Sequence, residues 1–277
     1  MAKKLISWLL RTSGLLGLSD SVKYRVQAAR MRESNQAFFR EHPGVAVPPP
    51  YLVYESYALD YRAYYEDGLD TARFVLASLG RHKEMTGVSL LDWGCGPARV
   101  VRHLPDLLTG KGCSVSGSDY NPASIAWCRA NIPGVAFALN GGEPPLAYPD
   151  ATHDALYAIS VLTHLSPAQH EQWIREIHRV LRPDGIAFLS THGALFRFNL
   201  MPWEARAFDA GELVARGNAK EGHRTYTSFQ PAAFMKTLFG AAALEILEHR
   251  EGGPGSQEFS QDVWIVRKIV KKPEGPG

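Results

Sequence analysis

Two aspartates and two glycines stand where a small polar ligand can be gripped. Asp92 closes an apolar run containing Val88, Leu90 and Leu91, and Gly94 and Gly96 follow at once. The run reads as a buried strand, and the glycines as a turn tight enough for backbone to approach a ligand. Pro97 suits a first helical position, and Val100, Val101, Leu104, Leu107 and Leu108 continue at helical spacing. A second strand, 114–118, leads to Asp119, 23 positions past Gly96. That separation is close to the ~20 residues typical of a ribose-binding carboxylate. Two histidines, His164 and His192, follow later strands and titrate in the range a general base needs.

A strand–glycine turn–helix junction can serve a dinucleotide or another nucleoside. The dinucleotide fingerprint wants a third small residue, and Arg99 stands there. A carboxylate at Asp92 also repels a pyrophosphate but suits an ammonium or sulfonium group. S-adenosylmethionine has both and carries no phosphate. With Asp92, Gly94 and Gly96 in this order, the chain resembles the class I S-adenosylmethionine-dependent methyltransferases. The run LRPDG (181–185), before a strand at 186–190, is similar to the run before that family's fifth strand.

The resemblance covers roughly 86–270. It implies an α/β fold with a doubly wound, mostly parallel seven-stranded sheet and an antiparallel C-terminal hairpin. It implies S-adenosylmethionine as cofactor, with S-adenosylhomocysteine as product. The cofactor would lie against Asp92, Gly94, Cys95, Gly96 and Arg99, then Asp119, Tyr120, Asn140, Gly141 and Ser160. Asp119 would hold the ribose and Tyr120 would lie on the adenine. Many members carry an acid soon after the third strand; here Asn140, Gly141 and Gly142 stand there instead. Ser160 and His164 follow the fourth strand, beside the expected acceptor, and His192 follows the fifth. Each histidine reads equally well as a base or as a structural group.

The chain has 277 residues, 45% hydrophobic, with a net charge of +2. That length holds one large α/β domain with extensions. The small net charge speaks against a nucleic-acid partner. Cys95, Cys113 and Cys128 have no metal-type spacing, which suits a reduced, cytoplasmic setting; no metal cluster is expected. Residues 1–32 nevertheless hold seven Lys or Arg against one Asp. With Leu5, Ile6, Trp8, Leu9 and Leu10, the stretch 1–19 reads either as an amphipathic helix on the inner membrane surface or as a helix packed on the protein itself or a partner. The oligomeric state is not legible.

Three further segments complete the division. Residues 1–85 read as a helical extension or cap, in which a single helix across 51–65 would carry a tyrosine stripe, either packing or walling the substrate side. Residues 191–229 are rich in aromatic and polar groups and read either as an acceptor-side insert over a domain at 86–270 or as a helical excursion with a small core of its own. The tail 271–277 reads as disordered. The tyrosine-rich start, the insert's end at EGHRTYTSFQP and the run QDVWIVRK resemble methyltransferases of bacterial glycan or O-antigen assembly. The resemblance implies a sugar or glycan hydroxyl as acceptor. A small aromatic or lipid-like acceptor, or a non-catalytic binding module, are the alternatives.

Overall fold

A computed structural model of the protein describes residues 16–216, 221–222, 226–253 and 260–269. Helices α1 (Leu16–Glu41), α2 (Pro50–Tyr57) and α3 (Tyr61–Gly80) come first. Strands β1 (Ser89–Trp93), β2 (Ser114–Asp119), β3 (Ala136–Leu139), β4 (His153–Ala158) and β5 (Leu181–Thr191) then alternate with α4 (Leu104–Leu107), α5 (Pro122–Asn131) and α6 (Pro167–Val180). After β5 come α7 (Pro202–Asp209), β6 (Val214–Arg216), β7 (Thr227–Phe229), α8 (Ala232–Ala241), β8 (Leu244–Arg250) and β9 (Asp262–Lys268). The main sheet runs β3-β2-β1-β4-β5-β9-β8. Neighbours are parallel as far as β5, and β9 is antiparallel to both β5 and β8.

Alternate residues of each strand point to opposite faces, and both faces are covered, so the central strands are apolar throughout. Leu90, Tyr157, Phe188 and Ile265 pack with Ala72, Val75 and Leu79 of α3. Leu91, Leu156, Leu189 and Trp264 pack with Trp173, Ile174 and Ile177 of α6 and with Met235 and Phe239 of α8. The order of the strands reverses between β1 and β4, which opens a crevice beyond their carboxyl ends. Asp92 and Asp119 stand at that edge.

Two expectations needed revision. No continuous helix follows the glycine turn. Residues 97–100 form turns, with Ala98 at φ 61°, and a 3-10 turn over Val101–His103 precedes the short α4. Pro105 is the reason: inside a longer helix it would lose a backbone bond and clash with the preceding turn.

The tyrosine stretch is two helices. Ala58 and Leu59 take left-handed φ values of 49° and 65°, and Asp60 caps α3 by accepting from the Ala63 N–H. Tyr61 and Tyr64 are buried with Phe38 and Val53. The Tyr64 hydroxyl donates to the Pro97 carbonyl at 2.6 Å, fastening the extension to the glycine loop. Because α3 also packs on the sheet, a division at residue 85 cuts through one packed core.

The insert encloses a small core of its own, built from Leu200, Ala205, Phe208, Val214 and Phe229. The stretch 1–15, most of the loop 251–260 and the tail 271–277 fall outside the described residues, as do His223 and Arg224. Among the described residues, no helix is long and apolar enough to cross a membrane.

Candidate active site

A cavity of about 550 Å³ lies at the carboxyl ends of β1, β2 and β4. Asp92, Gly94, Cys95, Gly96, Arg99, Asp119, Tyr120, Asn140, Gly141 and Ser160 all line it, together with His164. His192 is not among the lining residues.

The glycine loop is bound to its own sheet. The N–H groups of Gly94 and Cys95 both donate to the Ser118 carbonyl, at 2.8 and 3.0 Å. The Gly96 N–H donates to Asp119 Oδ2 at 2.8 Å. The three amides that would cradle a phosphate are thus committed to β2. Gly94 sits at φ 79°, and a Cβ there would fall 2.3 Å from Val161 Cγ2, so only glycine fits. Asp119 Oδ1 also accepts from the Asn121 N–H at 2.7 Å. Asn121 then caps α5 through Ala123 and Ser124.

Electrostatically the cavity suits a ligand with separated charges. Asp92 is buried, and its carboxyl is pushed up to about 7, chiefly by desolvation. A hydrogen bond from the Tyr157 hydroxyl at 2.7 Å works against that rise, while the nearby Asp119 adds to it. Arg99 is held by the Thr71 hydroxyl at 2.9 Å and lies 4.8 Å over the Tyr57 ring. The lining therefore presents two carboxylates and a guanidinium, with no amide cradle for a phosphate. That donor set fits S-adenosylmethionine, with its ammonium, sulfonium, carboxylate and ribose, and does not fit a dinucleotide.

His164, Ser160 and Gln261 line the cavity together with Ile159, Val161, Leu165 and Trp173. His164 Nδ1 is 2.7 Å from the Tyr226 carbonyl. A carbonyl only accepts, so Nδ1 carries the proton and Nε2 is the basic nitrogen. The insert reaches this part of the lining through Gly222, whose N–H donates to the His164 carbonyl at 2.9 Å. Ser160 takes a left-handed φ of 61°, a strained conformation of the kind that collects at functional sites.

His192 sits elsewhere. Its ring stacks on Phe196 with centroids 4.2 Å apart, and its Nδ1 bonds the Ser228 carbonyl. Burial lowers its pKa to about 4, so it stays neutral at pH 7 as a wall between insert and sheet. The Asn140 amide is engaged by Ser118 and by the Gly141 carbonyl.

Sequence reasoning missed Tyr157, the partner of Asp92, and Gln261 at the start of β9. Gln261 stands in the run QDVWIVRK and Tyr157 in the fourth strand, but strand periodicity does not say which strand end reaches a cavity. Among the described residues the one grouping with metal-ligand spacing is Glu41, His42 and Glu66. Arg62 bonds both carboxylates at 2.6 Å, which makes it an ion-pair cluster.

Residues 91–189 match the family model described as a methyltransferase domain. A probable S-adenosylmethionine-dependent methyltransferase of Mycolicibacterium smegmatis is 32% identical over 134 residues, 46% of this chain and 49% of that protein. The tRNA N(3)-cytidine methyltransferase of Gallus gallus is 24% identical over 199 residues, 68% of this chain and 52% of that protein. This chain spans about half the length of these curated relatives. That a tRNA methyltransferase is among them removes support for the expectation that nucleic acid is no partner. Among solved structures, a Burkholderia thailandensis 1,6-didemethyltoxoflavin-N1-methyltransferase with bound S-adenosylhomocysteine superposes with TM-score 0.50 at 19% identity, over 82% of this chain and 93% of that one. The sheet order and helical layers are those of the Rossmann-like methyltransferase fold. Residues 91–189 thus match a methyltransferase domain within a Rossmann-like methyltransferase fold, and the donor set of the cavity fits S-adenosylmethionine as cofactor.

Proposed function

We propose that the protein transfers a methyl group to a hydroxyl oxygen of a sugar or glycan, with His164 as the base. The supporting observation is the His164 ring in the lining of the cavity, its Nδ1 bonded to the Tyr226 carbonyl. When bound, S-adenosylmethionine supplies a methyl already made electrophilic by the sulfonium. Asp92 offsets its positive charge, Arg99 takes the carboxylate and Asp119 the ribose hydroxyls. Tyr120 lies against the adenine, and Gly94, Cys95, Gly96 and Gly141 let backbone come close. His164 takes the acceptor's proton, because a sugar hydroxyl is a weak nucleophile at neutral pH. An enclosed apolar acceptor pocket is disfavoured, since Phe208 and Phe229 of the insert pack into its own core.

The test is incubation with labelled S-adenosylmethionine and a panel of nucleotide sugars and glycans, read by mass spectrometry. A mass gain of one methyl on a sugar oxygen is expected. Methylation confined to aromatic or nitrogen acceptors would overturn the reading.

Asp92 adds a pH signature. It takes up its proton near pH 7 in the fold, but near 4 in the unfolded chain. Between these values the folded state holds the extra proton. Stability of the ligand-free protein therefore falls as pH rises from about 4 to about 7, and stays lowered above. A cationic ligand favours the ionised form, so cofactor affinity should climb as pH rises through 7. Asp92→Asn keeps an acceptor for Tyr157. It should melt higher than wild type at pH 8, yet bind S-adenosylmethionine about tenfold or more weakly, the loss of one charged contact. Wild-type affinity that stays level from pH 6 to 8 in calorimetry would remove the assignment.

A further inference from the structure

Beside His164, three side chains from three strand ends close a hydrogen-bond ring. The Ser160 N–H donates to Ser190 Oγ at 2.8 Å. Ser190 Oγ donates to Gln261 Oε1 at 2.6 Å. Gln261 Nε2 donates to Ser160 Oγ at 2.8 Å. The orientation of the Gln261 amide follows from burial. Ser190 is fully buried, and its hydroxyl hydrogen needs an acceptor. If the amide were turned over, its NH2 would face Ser190 and that hydrogen would have none. With the amide fixed, Ser160 Oγ must accept from Gln261. Its own hydroxyl hydrogen is then the ring's outgoing donor, at a residue that lines the cavity and is only partly buried.

We propose that Ser160, aimed by Gln261 as a positioning residue, donates this hydrogen to the acceptor atom and so selects oxygen over nitrogen. This rests on the reading of the site as a hydroxyl methyltransferase. A hydroxyl oxygen has one hydrogen and two lone pairs. The hydrogen goes to His164 Nε2, one lone pair forms the new O–C bond, and the second accepts from Ser160. As the O–C bond forms, the S–C bond breaks and its electron pair stays on sulfur. The products are a methyl ether, a neutral thioether and a protonated histidine. A neutral amine has a single lone pair, and the methyl consumes it. Nothing is then left to meet the Ser160 hydrogen, and an unmet donor in a closed site is costly. The left-handed φ of 61° at Ser160 holds its side chain in this place.

The test reverses the ring without changing its shape. In Gln261→Glu both serines donate to the new carboxylate, so Ser160 presents a lone pair to the cavity instead of a hydrogen. Ser160→Ala removes the group and serves as the second variant if the first folds poorly. The probes are a nucleotide sugar methylated by the wild type and the same sugar with a primary amine at that position. Assays run at about pH 9, where part of the amine is neutral. In both variants kcat on the hydroxyl should fall about tenfold or more, the loss of one hydrogen bond. The amine-to-hydroxyl rate ratio should rise, most in Gln261→Glu, whose S-adenosylhomocysteine affinity stays within twofold. An unchanged ratio in both variants, with the hydroxyl still methylated by the wild type, overturns the clamp alone. A wild type that methylates no sugar hydroxyl overturns the proposed function and the clamp with it.

Discussion

His164→Ala should lower kcat by about 10²–10⁴-fold, the usual range for removing a general base, with cofactor affinity nearly unchanged. The Tyr226 carbonyl holds the Nδ1 hydrogen, so in the neutral ring Nε2 is the nitrogen that can take a proton. Alanine also leaves that carbonyl without its donor, which costs some stability. His164→Gln is the control, since its amide can still donate but cannot take a proton at neutral pH. Both variants should lose turnover, and S-adenosylhomocysteine should bind to both in calorimetry as it does to wild type. His192→Ala is the contrast: it removes a ring stacked on Phe196, so the melting temperature should drop with kcat little changed. A large kcat loss in His192→Ala with none in His164→Ala would reverse the assignment.

Asp119→Ala should weaken the cofactor about a hundredfold or more, and should also destabilise the empty protein. In the folded chain one carboxylate serves two backbone donors, Gly96 and Asn121, before any ligand arrives. Losing it strands both, at about 1–3 kcal/mol for each donor left dry. The ribose contacts are lost as well, and a hundredfold corresponds to about 2.8 kcal/mol at ~1.4 kcal/mol per decade. Asp119→Asn separates the roles, since its amide oxygen keeps one backbone donor while its NH2 faces the other. Thermal melts and calorimetry with S-adenosylhomocysteine read the two effects independently. A lowered melting temperature with unchanged affinity would leave Asp119 a structural tie alone.

The framework was legible because it rests on repeated short-range signals. Alternating apolar runs gave the strands, and Asp92 with Gly94 and Gly96 gave the cavity's floor. What stayed illegible depends on contacts between distant segments. The Tyr157–Asp92 bond spans 65 residues and the Gln261–Ser160 bond spans 101, and no local pattern announces either. The single helix across 51–65 failed because the tyrosine spacing was weighed without Asp60, whose capping preference breaks it. Helical spacing after Gly96 likewise ignored Pro105. His192 and His164 looked equivalent, each a few residues past a strand; only the packing of Phe196 and Phe229 separates them.

The self-bonded glycine loop bears on any attempt to redesign the pocket. Converting it to hold a nicotinamide dinucleotide by neutralising Asp92 and Asp119 would remove the repulsion and still supply no grip. The loop would first have to surrender the amides of Gly94, Cys95 and Gly96 from β2, unpicking the seam between two core strands. Ligand preference here is thus written into the main chain, and swapping side chains alone will not rewrite it.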